Sequence, residues 1–209
     1  MIRVLIADDH AILRRGLQQI LAETSDMLVA GEASTAAGVL RLVREGQYDV
    51  LLLDISLPDQ NGLEVLAQLH ASHPNIHVLI LSMHPEQQYA LRALKCGASG
   101  YLTKDNAPEE LIIAIRRVVE GGQYISQSLA EHLVSIIKAP SEMPLHESLS
   151  DREYQVMQLL GVGKSVGEIA HQLALSPKTV STYRHRILEK LALYSTADII
   201  RYAIEHEMV

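Results

Sequence analysis

The stretch Val50-Leu-Leu-Leu-Asp54-Ile-Ser-Leu-Pro58 begins as a short, continuous apolar run and then reaches a carboxylate. Its apolar residues do not alternate with polar ones, which is typical of a strand that is buried on both faces of a parallel sheet. Similar runs precede and follow it at Val4–Ala7, Val29–Ala30, Val78–Leu81 and Gly100–Leu102. The first part of the chain is therefore predicted to contain five strands.

Amphipathic segments lie between and after these runs. In the first segment the apolar residues predicted to share one face at the helical period of 3.6 residues are Ile12, Leu13, Leu17, Ile20 and Leu21. The predicted helices are Ala11–Ala22, Thr35–Glu45, Gly62–Ala71, Glu86–Leu94 and Pro108–Glu120. Strands that alternate with helices in this way predict an α/β domain over residues 1–122, with a doubly wound, flavodoxin-like, five-stranded parallel sheet.

A connecting segment follows the predicted α/β domain. A helix is predicted over Ser128–Lys138, and the two prolines and polar residues of Ala139–Ser148 favour an irregular linker. We therefore expect residues 123–148 to connect two domains through one helix and a flexible stretch.

The sequence patterns of residues 149–209 predict helices and no strands. Ser150-Asp-Arg-Glu153 is a capping box, in which the serine and glutamate side chains each satisfy a free backbone N–H group. Ser176-Pro177 is a second strong helix start, because serine caps a helix and proline fits its first turn. Four helices are predicted in this all-α domain, and Val166–Leu173 and Ser176–Leu191 are expected to form a helix-turn-helix.

Polar side chains follow the predicted strands at their carboxyl ends, where open parallel sheets bind ligands. Asp8 and Asp9 follow the first strand, and Asp54 follows the third. Three carboxylates at one rim repel one another unless a cation lies among them, and their oxygen atoms suit Mg²⁺. An aspartate can also attack phosphorus. Ser82 and Lys104, after the fourth and fifth strands, would then face the phosphoryl oxygens.

Four motifs contain these residues: Val-Leu-Ile-Ala-Asp8-Asp9-His, Leu-Leu-Leu-Asp54-Ile-Ser-Leu-Pro58 with Gly62, Leu-Ser82, and Tyr101-Leu-Thr-Lys104. Together they resemble the receiver domain of two-component response regulators. The resemblance implies that Asp54 is the phosphoacceptor and that Mg²⁺ (or Mn²⁺) is the cofactor. The implied metal ligands are Asp8, Asp9, Asp54 and the backbone carbonyl of Ser56. The implied phosphoryl-binding and switch residues are Ser82, Tyr101 and Lys104.

The predicted helix Ser176–Leu191 has an apolar face and a basic face. At helical spacing the buried stripe consists of Val180, Ile187 and Leu191. Hydrogen-bond donors on the opposite face can reach base edges and phosphates; they belong to Lys178, Ser181, Thr182, His185 and Arg186. Tyr183 and Arg184 lie nearer to the buried stripe, so we expect both to pack within the domain.

Motifs of the second domain resemble the LuxR-type DNA-binding domain. They are Ser150-Asp-Arg-Glu153 with Gly161, Glu168-Ile-Ala, Leu175-Ser-Pro-Lys-Thr-Val180 and Lys190-Leu. The resemblance implies base contacts by Ser181, Thr182 and His185 and a backbone contact by Lys178. The predicted set of DNA contacts is completed by Thr179, Arg186 and Lys190.

Both resemblances together identify the chain as a response regulator of the NarL/LuxR (FixJ) type, and Ser176–Arg186 is most similar to the GacA/UvrY group. The family implies a transcription regulator with a cognate sensor histidine kinase and double-stranded promoter DNA as partners. It implies no enzymatic activity apart from self-phosphorylation and slow self-dephosphorylation at Asp54. Phosphorylation is expected to promote promoter binding by a homodimer, whose predicted residues on the helix from Ser195 are Ile199, Ile200 and Ala203.

Composition limits the class of protein. No apolar run among the 209 residues approaches the roughly 18–20 that a membrane span needs, and the start of the chain does not resemble a signal peptide. Cys96 alone cannot form an internal disulfide, so we expect a cytoplasmic protein. The net charge of −7 argues against nucleic-acid binding, but Ser176–Lys190 holds four basic residues and one acidic residue, a local charge of +3.

Three alternatives compete with this interpretation. A phosphatase of the haloacid-dehalogenase type also uses an aspartate and Mg²⁺, but it needs Asp-x-Asp after the first strand, where this chain has Asp8-Asp9-His10. A receiver that only dimerises and is never phosphorylated usually lacks one of the five polar residues at this rim. All five are present here: Asp8, Asp9, Asp54, Ser82 and Lys104. Zinc binding by His10 and His84 is disfavoured, because no helical pair of histidines at ligand spacing accompanies them.

Overall fold

The computed structural model describes residues 1–138, 145–206 and 208–209. The chain divides into two compact units, Met1–Ala139 and Pro140–Val209. This division follows the predicted change from an α/β pattern to helices alone. Within the described ranges, no helix combines the length and the apolar character that a membrane span requires.

A five-stranded parallel sheet forms the centre of the first unit, as predicted. Its strands are β1 (Ile2–Ala7), β2 (Met27–Ala33), β3 (Val50–Asp54), β4 (His77–Ser82) and β5 (Gly100–Thr103). They lie in the order β2-β1-β3-β4-β5, and all neighbouring pairs are parallel. Every residue of Val50–Leu53 is fully buried, which explains why β3 reads as a continuous apolar run.

Five helices cover the two faces of this sheet. They are α1 (Ala11–Ala22), α2 (Ala36–Glu45), α3 (Gly62–Ser72), α4 (Glu86–Lys95) and α5 (Ala107–Val119), within a residue or two of the predicted bounds. Leu17 and Leu21 of α1 join Leu111 and Ile115 of α5 in one buried cluster with the strands. The apolar stripes of these helices therefore cover the sheet. The prediction for Ile12 is wrong: it lies on the opposite side of α1 from Leu21 and is 89% exposed.

A sixth helix, α6 (Gln127–Lys138), packs against α4 within the first unit. Its start is held by Glu86, whose buried carboxylate accepts hydrogen bonds from the hydroxyl groups of Ser126 and Ser128. The Ser126 hydroxyl in turn accepts the N–H of Leu129 at 3.1 Å, so it caps the helix. The helix that the sequence assigns to the linker thus contacts the α/β unit directly.

The second unit is all helical, as predicted. After a 3₁₀ helix at Leu145–Ser148 it contains α7 (Asp151–Gly161), α8 (Val166–Gln172), α9 (Pro177–Lys190) and α10 (Thr196–Glu205). Ser150 forms the predicted capping box with Glu153, and Ser176 caps α9 by accepting the N–H of Thr179 at 3.0 Å. A second capping box, Ser165 with Glu168, starts α8 and was not predicted.

Most of the predicted connecting segment, residues 123–148, belongs to one unit or the other. Its first part pairs Tyr124 with Gly100 beside β5 and continues into α6. Its last part, the 3₁₀ helix, belongs to the second unit, where the ammonium of Lys190 donates to the carbonyl of Ser148 at 3.3 Å. Residues 139–144 of the predicted linker lie outside the described residues.

Glu153 joins two helices of the second unit through a buried carboxylate. The residue is 2% exposed, and its Oε2 accepts the N–H of Ser150 at 2.7 Å and the ammonium of Lys190 at 2.6 Å. Burial acts to raise the pKa of Glu153, but the hydrogen bonds from Lys190 and Ser150 outweigh burial and hold this pKa below its ordinary value. The ionised carboxylate therefore connects the start of α7 to the end of α9.

Glu153→Gln is expected to lower the free energy of unfolding of the second unit by about 1–2 kcal/mol at pH 7. The amide keeps an acceptor for Ser150 but loses the ion pair with Lys190. Since folding lowers the pKa, the carboxylate stabilises the fold above its unfolded-state pKa of about 4.3, and this contribution disappears as the pH falls.

Amide hydrogen exchange of α7 in increasing urea, at pH 7 and at pH 3, measures this difference. The exposed carboxylate of Glu205 provides the control, since Glu205→Gln should change little at either pH. An effect of Glu153→Gln that is equally large at both pH values would contradict the assigned ion pair.

Candidate functional site

The carboxyl ends of β1, β3 and β5 bring Asp8, Asp54 and Lys104 into contact. Lys104 Nζ lies 2.7 Å from Asp54 Oδ2 and 2.7 Å from Asp8 Oδ2. All three residues are buried, with exposed fractions of 8% for the lysine and 1% for each aspartate. Because β4 separates β5 from β3 in the sheet, the long lysine side chain has to reach across the end of β4. The predicted convergence of charges at one rim is present.

The loop after β3 holds Asp54 in place. The N–H of Ser56 donates to Asp54 Oδ1 at 3.1 Å, and the N–H of Gly62 donates to the carbonyl of Ile55 at 2.8 Å. A Cβ atom at Gly62 would lie 2.2 Å from the Asp54 carbonyl oxygen, so only glycine allows this approach. Buried Asn61 then caps α3 by accepting the N–H of Leu63 at 2.8 Å.

Burial and charge oppose each other in this cluster. Burial raises the pKa of Asp54; Lys104 opposes this rise, and the charge of Asp8 adds to it. Burial disfavours the charged form of Lys104, but Asp54 and Asp8 outweigh burial and raise the pKa of the lysine. Lys104 is therefore protonated at neutral pH and balances only one of its two carboxylate neighbours.

The acidic side of the site fits a divalent cation. Asp8, Asp9, His10 and Asp54 place one potential ligand atom each within 4.8 Å of one another. Asp8 Oδ2 is buried, and its charged neighbour is Lys104 Nζ at 2.7 Å. A set of carboxylate oxygens is the donor set that Mg²⁺ prefers. The other predicted ligand, the carbonyl of Ser56, belongs to the loop directly after Asp54.

His10 belongs to this cluster, although the sequence assigned it no role. Its Nδ1 lies 2.7 Å from Asp9 Oδ1 and 3.1 Å from Asp8 Oδ1, and its backbone N–H donates to Asp8 Oδ1 at 2.7 Å. Its position directly after Asp8 and Asp9 in the sequence could have indicated that His10 lies in this cluster. His10 therefore orients the Asp8 carboxylate through its backbone.

Ser82 and Tyr101 meet at the backbone of His84. Ser82 Oγ accepts the N–H of His84 at 3.0 Å, and the Tyr101 hydroxyl donates to the carbonyl of His84 at 2.9 Å. Ser82 and Tyr101 are both fully buried. Burial, together with the charge of Lys104, lowers the pKa of His84, so this imidazole is neutral at pH 7. The two predicted switch residues are thus connected through one residue that the sequence did not select as part of the switch.

Helix α9 presents a polar face to solvent. Val180 and Ile187 are fully buried, as the apolar stripe predicts. Ser181 is half-buried, and the exposed members of the predicted contact set include Lys178, Thr182, His185 and Arg186. These four side chains follow one another along the exposed face, so one surface of α9 offers cationic and hydroxyl groups together.

Four of the predicted DNA contacts have partners within the domain. The Thr182 hydroxyl donates to the carbonyl of Lys178 at 3.0 Å, and His185 Nε2 lies 3.4 Å from Glu189 Oε1. The Thr179 hydroxyl lies 2.8 Å from that of Ser176, and Lys190 is bonded to Glu153. Arg184 is half-buried with Nη1 3.5 Å from Thr196 Oγ1, and Tyr183 is also half-buried, which agrees with their expected packing.

The predicted dimer residues Ile199 and Ala203 of α10 do not lie on the surface of the second unit. Both are fully buried, and a Cβ atom placed on Gly161 of α7 would lie 2.8 Å from Ala203 Cβ. The apolar stripe of a helix covers its own domain first, and sequence periodicity does not distinguish this from an interface. Ile200 is half-buried, and Ile204, one turn later, is exposed.

Comparison with known proteins identifies both units. Residues 4–116 match the response regulator receiver domain, and residues 147–203 match the bacterial regulatory proteins of the luxR family. The response regulator UvrY of Escherichia coli K12 is 37% identical over 208 residues, which cover 99% of this chain and 95% of UvrY. GacA of Pseudomonas aeruginosa is 38% identical over 211 residues, which cover 100% of this chain and 98% of GacA.

A solved structure has the same fold at lower identity. RcsB from Salmonella enterica serovar Typhimurium, bound to a promoter in the presence of a phosphomimetic, is 24% identical with a TM-score of 0.62. The match covers 96% of this chain and 97% of that RcsB chain. UvrY and GacA are both response regulators, and this chain matches each of them over nearly its whole length. These matches favour a response regulator over the phosphatase alternative. The chain therefore belongs to the two-component response regulators that join a receiver domain to a LuxR-family helix-turn-helix domain, and it resembles UvrY and GacA.

Proposed function

We propose that this response regulator is phosphorylated on Asp54 in an Mg²⁺-dependent reaction and then binds promoter DNA as a dimer. The observation that carries the proposal is the contact of one buried ammonium with two buried carboxylates, those of Asp8 and Asp54, at 2.7 Å each. Burying three charges is costly and adds little stability. Such a cluster at the carboxyl end of a sheet is typical of a site that handles a charged group.

The chemistry follows from the positions of these side chains. One carboxylate oxygen of Asp54 forms a bond to the phosphorus of a phosphohistidine on the sensor kinase, while the phosphorus–nitrogen bond to that histidine breaks. Lys104 and the Ser82 hydroxyl then bind phosphoryl oxygens. A divalent cation would supply charge neutralisation at this site. Its proposed ligands are Asp8, Asp9, Asp54 and the carbonyl of Ser56.

Contacts around His84 provide a route from the phosphoryl group to the surface. If the Ser82 hydroxyl turns toward phosphorylated Asp54, it gives up the N–H of His84, whose carbonyl also holds Tyr101. Helix α4 begins two residues later at Glu86, the residue that holds the start of α6. Phosphorylation adds about −1.5 to −2 charges, and we propose that it shifts the population of this segment between two arrangements.

DNA binding is assigned to the exposed face of α9. Among the relatives, RcsB has been solved bound to a promoter and as two dimers bound to two parallel DNAs. Two copies of α9 would double the contact with DNA, so dimerisation strengthens binding without new contacts per protomer. Of the predicted dimer residues, Ile200 remains available, and Ile204 is the exposed apolar residue beside it.

Selection of bound duplexes from a random DNA pool tests this function. The full-length protein is used with and without acetyl phosphate and Mg²⁺. We expect enrichment of a sequence with two half-sites and a higher recovery after phosphorylation. A pool that stays random under both conditions would exclude sequence-specific binding. Equal enrichment under both conditions would support a receiver that is never phosphorylated.

His185→Ala is expected to lower the ratio of specific to nonspecific DNA binding about tenfold, since a base contact is worth about 1–3 kcal/mol. Fluorescence anisotropy with the selected duplex and with a scrambled duplex measures this ratio. Lys178→Ala is the matched control, because loss of a phosphate contact should weaken binding to both duplexes equally. Equal weakening on both duplexes by His185→Ala would show that His185 does not read a base.

A further inference from the structure

A carboxylate outside the metal cluster connects the loop after Asp54 to a neighbouring helix. Asp59 lies five residues after Asp54, and its two oxygens accept the first two N–H groups of α2. The Ala36 N–H donates to Oδ1 at 2.7 Å, and the Ala37 N–H donates to Oδ2 at 2.9 Å. The side chain of the helix's own cap, Thr35, accepts the N–H of the third residue, Gly38, at 3.1 Å. A residue from another loop therefore completes the start of α2.

The strand order shows where this connection runs. Helix α2 follows β2, and the loop with Asp59 follows β3, while β1 lies between β2 and β3. The hydrogen bonds of Asp59 thus span the carboxyl end of β1, the strand that leads into Asp8 and Asp9. The N–H of Asp8 also donates to the carbonyl of Ala33 at the end of β2, at 3.1 Å. The segments that carry the acidic cluster are therefore joined to one another at the carboxyl ends of the strands.

Asp59 also provides a strong attachment for the middle of its loop. The loop is held at its start by β3 and at its end by Gly62, whose N–H donates to the carbonyl of Ile55. Burial acts to raise the pKa of Asp59, yet the N–H groups of Ala37 and Ala36 hold this pKa below its ordinary value. The carboxylate is ionised at neutral pH, so its hydrogen bonds are charge-assisted.

We propose that Asp59 is a positioning residue of the phosphorylation site. Its bonds to α2 hold the loop Ile55–Asn61 so that Asp54 and the carbonyl of Ser56 face Asp8 and Asp9 across the cation site. Asp59 itself contacts neither the cation nor the phosphoryl group. The inference rests on the proposed function, since it requires that this site binds Mg²⁺. Mutation of outer groups that orient metal ligands typically lowers metal affinity by about 10–100-fold.

Titration calorimetry of full-length protein with Mg²⁺ alone tests this role and does not depend on phosphorylation. Asp59→Ala is expected to raise the Kd for Mg²⁺ about tenfold. Thr35→Ala is the matched control, because it removes a cap from the same helix but leaves the loop after β3 attached. It should leave the Kd unchanged. Asp59→Asn keeps one carbonyl acceptor and should raise the Kd by a smaller factor than Asp59→Ala.

Two further readouts separate positioning from general damage. Amide exchange at Ala36 and Ala37 should accelerate in Asp59→Ala, and labelling of Asp54 by acetyl phosphate should recover at saturating Mg²⁺. Asp59→Asn provides the test if the alanine variant does not fold. An unchanged Kd in the Asp59 variants, or an equal rise in Thr35→Ala, overturns the inference. A wild-type protein that does not bind Mg²⁺ overturns the proposed metal site itself and this inference with it.

Discussion

Asp54→Asn is expected to abolish phosphoryl incorporation from acetyl phosphate in the presence of Mg²⁺. The replacing amide carries no negative charge and is a poor nucleophile, so it can neither attack phosphorus nor hold a divalent cation as a carboxylate does. Intact-protein mass spectrometry should detect one added phosphoryl group on the wild-type chain and none on the variant.

The structure allows this result to be separated from misfolding. The amide oxygen of the variant can still accept the N–H of Ser56, and Lys104 keeps its contact with Asp8. Asp105→Asn is the control, because this exposed carboxylate lies next to Lys104 in the sequence and should not affect labelling. Undiminished labelling of Asp54→Asn would falsify the assignment of the phosphoacceptor.

Gly62→Ala is expected to destabilise the first unit by about 3 kcal/mol. The added Cβ atom would lie 2.2 Å from the carbonyl oxygen of Asp54 and 2.8 Å from the Cα atom of Ile55. Both are backbone atoms at the end of β3, so relief requires movement of the strand end itself. The same movement would displace the Asp54 carboxylate, and labelling by acetyl phosphate should fall together with stability.

The same substitution in α1 provides a control of opposite sign. Gly16 lies in the middle of that helix, and a Cβ atom there would meet no atom within 4 Å. Gly16→Ala should therefore stabilise the first unit by about 0.5–1 kcal/mol, because alanine loses less backbone entropy in a helix. Urea unfolding followed by circular dichroism measures both variants. A Gly62→Ala protein as stable as wild type would contradict the close approach at Asp54.

Local patterns predicted the strands, the helices and the rim. The run Val50–Leu53 is continuously apolar because β3 is buried on both faces, so the local sequence alone indicates a buried strand. Capping at Ser150 and Ser176 depends on residues three positions apart, so these helix starts were readable without tertiary information. The carboxyl ends of parallel strands share one edge, and this rule alone brings Asp8, Asp54 and Lys104 together.

Contacts between segments far apart in the sequence could not be predicted from local patterns. The apolar stripe of α10 was assigned to a dimer, whereas Ile199 and Ala203 are used in the core of their own domain. The ammonium of Lys190, a predicted DNA contact, is bonded to Glu153, which lies 37 positions earlier, and the sequence did not indicate this bond. A periodic stripe or a basic residue shows that a side chain needs a partner, but the partner depends on how the helices pack.

The amino-acid sequence by itself determined the two fold classes, the order of elements and the meeting of Asp8, Asp54 and Lys104 at one rim, because these follow from local periodicity, capping and the shared edge of parallel strands. Only the tertiary structure decided that the apolar stripe of α10 is buried in its own domain, that Glu86 holds α6, and that Asp59 joins the loop after Asp54 to α2. Each of these contacts joins residues far apart in the chain. Their formation depends on the relative positions of packed elements, which no local pattern encodes.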